Sequence, residues 1–114
     1  MRRTLHSAGR LGDRLRHIAH AAPGGDRTVL VLPQVPPGTQ ILLGRSRASD
    51  IRFTEPTVSR RHAALRRVEG GWLLVDRAST HGTHVNGRRV TTTTVVHIGD
   101  LVRFGEVGFR IAAH

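Results

Sequence analysis

From Arg27 onward the apolar residues fall into short runs and strict alternations, each closed by turn-forming residues. Thr28-Val29-Leu30-Val31-Leu32 is an apolar run stopped by Pro33, and Gln40-Ile41-Leu42-Leu43 is a second one after Pro36-Pro37-Gly38. Ile51 and Phe53 alternate with Asp50 and Arg52. His62–Val68 and Trp72–Val75 flank Gly70-Gly71 as two strands about a tight turn. Asn86-Gly87 is the strongest two-residue hairpin signal, because both central positions of that turn favour positive φ. Val95, Val96 and Ile98 precede Gly99-Asp100, Leu101, Val102 and Phe104 follow, and Val107, Phe109 and Ile111 alternate with Gly108, Arg110 and Ala112. Many short period-two segments with no 3.6-residue pattern among them predict an all-β fold, an antiparallel sandwich over residues 27–114.

The first 26 residues read differently. Leu11, Leu15, Ile18, Ala19 and Ala22 recur at helical spacing, with Arg10, Arg14, Arg16 and His17 between them, before Pro23-Gly24-Gly25-Asp26 breaks the pattern. Isolated helices of this length are marginal in water. Residues 1–26 therefore read as a basic tail, flexible or weakly helical at about 10–21. No apolar stretch follows Arg2-Arg3 as in a secretory signal, and no run approaches the roughly 20 residues of a membrane-spanning helix.

A chain of 114 residues has room for one ordinary domain. The absence of cysteine excludes disulfide scaffolds, thiolate metal sites and cysteine nucleophiles, and fits the cytoplasm. Charge is lopsided: eighteen basic residues, all arginine, against eight acidic ones give +10. An all-arginine surface is in part a habit of GC-rich bacterial coding sequence. Physically it favours phosphate and carboxylate partners.

Three segments between predicted strands carry the candidate chemistry: Gly44-Arg45, Val58-Ser59-Arg60-Arg61-His62, and Asp76-Arg77-Ala78-Ser79-Thr80-His81-Gly82-Thr83 leading into Val85-Asn86-Gly87. Loops at one end of a sandwich converge. These would bring together guanidinium groups, hydroxyls and an imidazole, a donor set for a phosphate monoester. In this order, and followed by Ile98-Gly99-Asp100-Leu101-Val102-Arg103-Phe104-Gly105, they resemble a forkhead-associated (FHA) domain over residues 27–114.

The resemblance implies a sandwich of about eleven strands that binds phosphothreonine peptides through its loops. Arg45, Ser59, Arg60 and Thr80 would contact the phosphate. His81 would meet the peptide backbone, and Thr57 or Arg47 would set side-chain preference. Gly44, His62, Gly82 and Asn86 would support the site. At His81 the chain departs from the family pattern, which has asparagine there. An imidazole places its donor and acceptor differently, and histidine changes charge near neutral pH, so a pH-dependent affinity is expected. Thr4, after Arg2-Arg3, is a candidate phosphorylation site.

The implied function is a non-catalytic phosphothreonine-recognition adaptor in Ser/Thr kinase signalling. Its partner would be a phosphothreonine-containing protein, the kinase or its substrate. No cofactor, metal or specific nucleic acid is expected, and the oligomeric state stays open. Alternatives are a site drifted to phosphate-independent protein binding, or a basic nucleic-acid binder. A hydrolase triad from Ser59, Asp76 and His81 or His97 lacks the Gly-x-Ser-x-Gly elbow. The three-residue spacings His17/His20 and His81/His84 have few acidic partners with which to hold a metal.

Overall fold

The computed structural model describes residues 3–5, 17–19 and 28–113. Twelve strands are found among them: β1 (Arg3–Leu5), β2 (His17–Ala19), β3 (Thr28–Leu32), β4 (Gln40–Gly44), β5 (Ile51–Phe53), β6 (Ala63–Val68), β7 (Gly71–Asp76), β8 (Thr83–Val85), β9 (Arg88–Arg89), β10 (Thr94–Val96), β11 (Leu101–Phe104) and β12 (Val107–Ala113). They form two six-stranded sheets, in the orders β1-β3-β12-β11-β8-β9 and β10-β7-β6-β4-β5-β2. This is the predicted sandwich.

Pairing is mixed rather than wholly antiparallel. Most neighbours joined by tight turns run antiparallel, as β6/β7 and β8/β9 do, because a two-residue turn reverses the chain. β12 runs parallel to β3, bringing the two sequence-distant strands together at the centre of their sheet. β4 and β5 are also parallel, through the short pair Leu43–Ile51 and Gly44–Arg52. In the stretch expected to be helical at about 10–21, His17–Ala19 is instead an extended strand beside β5. As the edge strand of its sheet β2 pairs on one side with β5, a tertiary contact that a solitary helix of marginal stability lacks. Thr4 lies in β1, opposite Val29. The rest of the tail segment lies outside the described residues.

Alternation decides which side chains fill the space between the sheets. Ile41 and Leu43, Ile51 and Phe53, Trp72 and Leu74, Val102 and Phe104, and Phe109 and Ile111 face inward and are buried. The Val29–Leu32 run, which does not alternate, is buried at all four positions. All three phenylalanines meet: Phe53 lies 5.3 Å from Phe104 and 5.4 Å from Phe109 between ring centroids. His62 sets its edge against Phe104 at 5.8 Å and 88°. That contact joins the core to the loops above it.

Candidate functional site

The loops at 45–50, 54–62 and 77–82 meet at one end of the sandwich and are stitched together by backbone groups. Arg45 N–H donates to the Ser59 carbonyl at 3.0 Å and Ser46 N–H to the Arg60 carbonyl at 3.0 Å. This close approach requires glycine at position 44. A Cβ there would stand 2.0 Å from the Arg60 carbonyl oxygen and 3.0 Å from that of Ser59. The Arg45 side chain is half-buried and its Nε donates to the Val58 carbonyl. One edge of the guanidinium is thus anchored, and its two terminal amino groups remain for a ligand.

His62, fully buried, braces the second and third loops. Ser59 N–H donates to its Nδ1 at 2.9 Å, so Nε2 carries the proton and donates to the Gly82 carbonyl at 2.9 Å. Burial lowers its pKa from the ordinary 6.5; His81 acts in the same direction, against the Gly82 bond and the Asp76 charge. A proton on Nδ1 would also displace the Ser59 N–H bond. The Ser59 hydroxyl oxygen accepts from Thr80 N–H at 3.0 Å, which ties the second loop to the third. Its hydroxyl hydrogen remains available to donate.

The third loop is shaped by Asp76, whose wider role the sequence pattern did not reveal. Its Oδ1 accepts from the Ser79 and Thr83 hydroxyls, each at 2.6 Å, and its Oδ2 from Ser79 N–H at 3.1 Å. Ser79 Oγ in turn accepts from Gly82 N–H at 3.0 Å. Burial pushes the Asp76 pKa up, but the Ser79 and Thr83 bonds outweigh it, and the carboxyl sits below its usual range. An aspartate followed by serine three and threonine seven positions on is the available sequence signal, because short polar side chains organise local turns. Ala78 takes a left-handed conformation at φ 56° and Gly82 one at φ 85°. The turn leaves Thr80 and His81 exposed at its tip.

The other sequence-selected residues divide. Arg60 is exposed beside Ser59, and Arg47 is exposed in the 45–50 loop. The Thr57 hydroxyl accepts from Glu106 N–H at 3.0 Å, and its carbonyl lies where a Cβ on Gly105 would come within 2.4 Å, so Thr57 fixes the β11–β12 turn. Asn86 lies at the far end of β8 from these loops. With φ 50° there and 84° at Gly87, it forms the predicted turn, and its amide bonds Asp100 Oδ1 and Leu101 N–H at 3.0 Å each. Ser59, Asp76 and His81 or His97 are not joined into a relay: Asp76 is held by Ser79 and Thr83, Ser59 Oγ takes the Thr80 N–H, and His97 Nδ1 lies 3.8 Å from Asp100. Among the described residues, no three His, Asp or Glu side chains are grouped to hold a metal, and no helix is long and apolar enough to cross a membrane.

The FHA domain profile matches residues 41–105, more than half of the chain. The chain belongs to the FHA domain family. FHA domains of this kind are recognition modules rather than enzymes, and this one has relatives in actinobacteria. It is 44% identical over 68 residues to the oxoglutarate dehydrogenase inhibitor of Corynebacterium diphtheriae, covering 60% of this chain and 46% of that protein. Several curated relatives are much longer: only 8% of the ABC transporter ATP-binding/permease protein Rv1747 of Mycobacterium tuberculosis is matched. A structure from work on phosphothreonine-dependent FHA domain interactions superposes with a TM-score of 0.63 at 32% identity, covering 71% of this chain and 82% of that one. The FhaA FHA domain, solved in complex with the intracellular domain of Rv3910, gives 0.59 at 33% identity over 66% and 80%.

Proposed function

We propose that this FHA domain binds a phosphothreonine-containing segment of a partner protein, serving as a cytoplasmic, non-catalytic adaptor in Ser/Thr kinase signalling. Arg45, Ser59, Arg60 and Thr80 take the phosphate, His81 meets the peptide backbone, and Arg47 biases flanking side chains. The carrying observation is the state of the donors. Arg45 is anchored by Nε with its amino groups left over, and Ser59 accepts from Thr80 N–H with its own hydroxyl hydrogen left over. Both therefore sit on fixed backbone before any ligand arrives, which lowers the ordering cost of binding.

A phosphothreonine carries about −1.5 to −2 charge at pH 7, opposite in sign to this +10 chain. Charge-assisted hydrogen bonds are worth roughly 1.5–3 kcal/mol each. Two or three of them with a few peptide contacts reach micromolar affinity. A kinase or its phosphorylated substrate is the fitting partner.

Titration with a degenerate phosphothreonine peptide library, beside Arg45→Ala and Ser59→Ala, tests this. Binding that disappears with the phosphate and falls at least tenfold in each variant is expected. Equal affinity for the unphosphorylated library would instead make this end of the fold a phosphate-independent surface.

A further inference from the structure

Arg103, His84 and Arg89 stand in one cross-strand row on the sheet that contains β11, β8 and β9. Arg103 is opposite His84, and His84 is opposite Arg89. Their chain neighbours Val102, Phe104, Thr83, Val85 and Val90 are buried, so alternation turns the three basic side chains outward. The row continues onto β12 at Gly108, opposite Arg103, where a side chain would meet nothing within 4 Å. At its other end it reaches the third loop: a Cβ on Gly82 would be 3.4 Å from Arg89 Cζ and Nε and from His84 Cε1. Gly82 follows His81 directly, so the row begins at the rim of the phosphothreonine site.

Arg103 and Arg89 thus flank His84 from its two neighbouring strands, and no carboxylate stands in this row to offset their charges. None of the three side chains forms an ion pair or hydrogen bond with another described residue. Burial and the two arginines lower the His84 pKa, leaving a neutral ring between two cations, with its Nδ1 buried and unpartnered.

We infer that Arg89, His84 and Arg103 form a second anion site, which takes a second phosphoryl group on the same phosphothreonine peptide. The inference rests on the phosphopeptide reading of the adjoining loops. Two guanidinium groups match a dianion, whereas one carboxylate would leave half their charge uncompensated. The flanking strands are two interstrand spacings apart, about 10 Å, which long arginine side chains can close around a group between them. An extended peptide advances about 3.3 Å per residue, so a second modified residue two to five positions from the phosphothreonine lies roughly 7–17 Å along it.

The test uses the full chain and calorimetric titration. The probes are a phosphothreonine peptide, a set with one added phosphoserine two to five positions to either side, and the same set with glutamate there. At one or two spacings the added phosphoserine should tighten binding about tenfold, equivalent to one charge-assisted contact, and glutamate by less than threefold. The double variant Arg89→Gln/Arg103→Gln should lose that gain while binding the singly phosphorylated peptide as before. The charge-matched Arg66→Gln/Arg110→Gln should keep the gain. An equal gain at every spacing, a gain that survives loss of Arg89 and Arg103, or a glutamate as effective as phosphoserine would overturn the inference while leaving the phosphothreonine reading standing. Failure of the singly phosphorylated peptide to bind would reject both.

Discussion

His62 shows at the residue scale how one side chain serves stability and function together. Its ring touches Phe104 in the core, and its two nitrogens hold Ser59 N–H and the Gly82 carbonyl. The lowered pKa has a defined consequence. Near pH 6.5 the unfolded chain takes up a proton at this position, and the folded one does so only at lower pH. The contribution of His62 to stability is therefore full above 6.5 and is lost as pH falls through the folded value. His84 acts with the same sign. We expect His62→Gln to lose about 2–4 kcal/mol at pH 7.5, from a broken buried pair of hydrogen bonds and lost packing. Its urea midpoint should then fall less between pH 7 and 5 than that of the native chain; a parallel fall would assign the pH dependence elsewhere. The motif around Ser59 marked His62 as structural. The proton location came only from its partners, Ser59 twenty-three residues before Gly82 and both brought to one ring.

At the scale of elements, the contrast lies between turns that sequence specifies and loops that the fold specifies. The β8–β9 hairpin was readable because Asn86-Gly87 encodes its own positive φ values, a local property. Thr57 was not readable in the same way: its hydroxyl meets the backbone of Glu106 forty-nine residues later, and no local pattern announces so distant a partner. Between these cases stands the third loop, where Asp76 binds three donors within seven residues. Replacing Asp76 with Ala should cost about 2–4 kcal/mol, since the Ser79 and Thr83 hydroxyls lose a charged acceptor. It should weaken phosphopeptide binding at least tenfold by freeing Thr80 and His81, with faster amide exchange at Gly82. Unchanged exchange at Gly82 would show that the loop keeps its shape without the carboxylate.

For the whole molecule, the +10 charge poses a choice between one phosphate held at a fixed cradle and many phosphates tracked along a polymer. Each neutralised phosphate of a nucleic acid adds nearly one unit to the slope of log affinity against log salt. Peptide binding should therefore show a slope no steeper than about −2 in salt titrations; a slope of −6 or beyond would mark a polyanion surface. The alternation of apolar residues determined an all-β fold and the inward face of most of its strands, because in a strand every second side chain lies on the same side. The order of Gly44-Arg45, Ser59-x-x-His62 and Ser79–Thr83 determined the family. Only the tertiary structure decided that β12 lies parallel to β3, that Gly44 must pass against the Arg60 carbonyl, and that Arg89, His84 and Arg103 share a row. These are contacts between segments distant along the chain, and their energies depend on where the packed sheets place them rather than on any local preference.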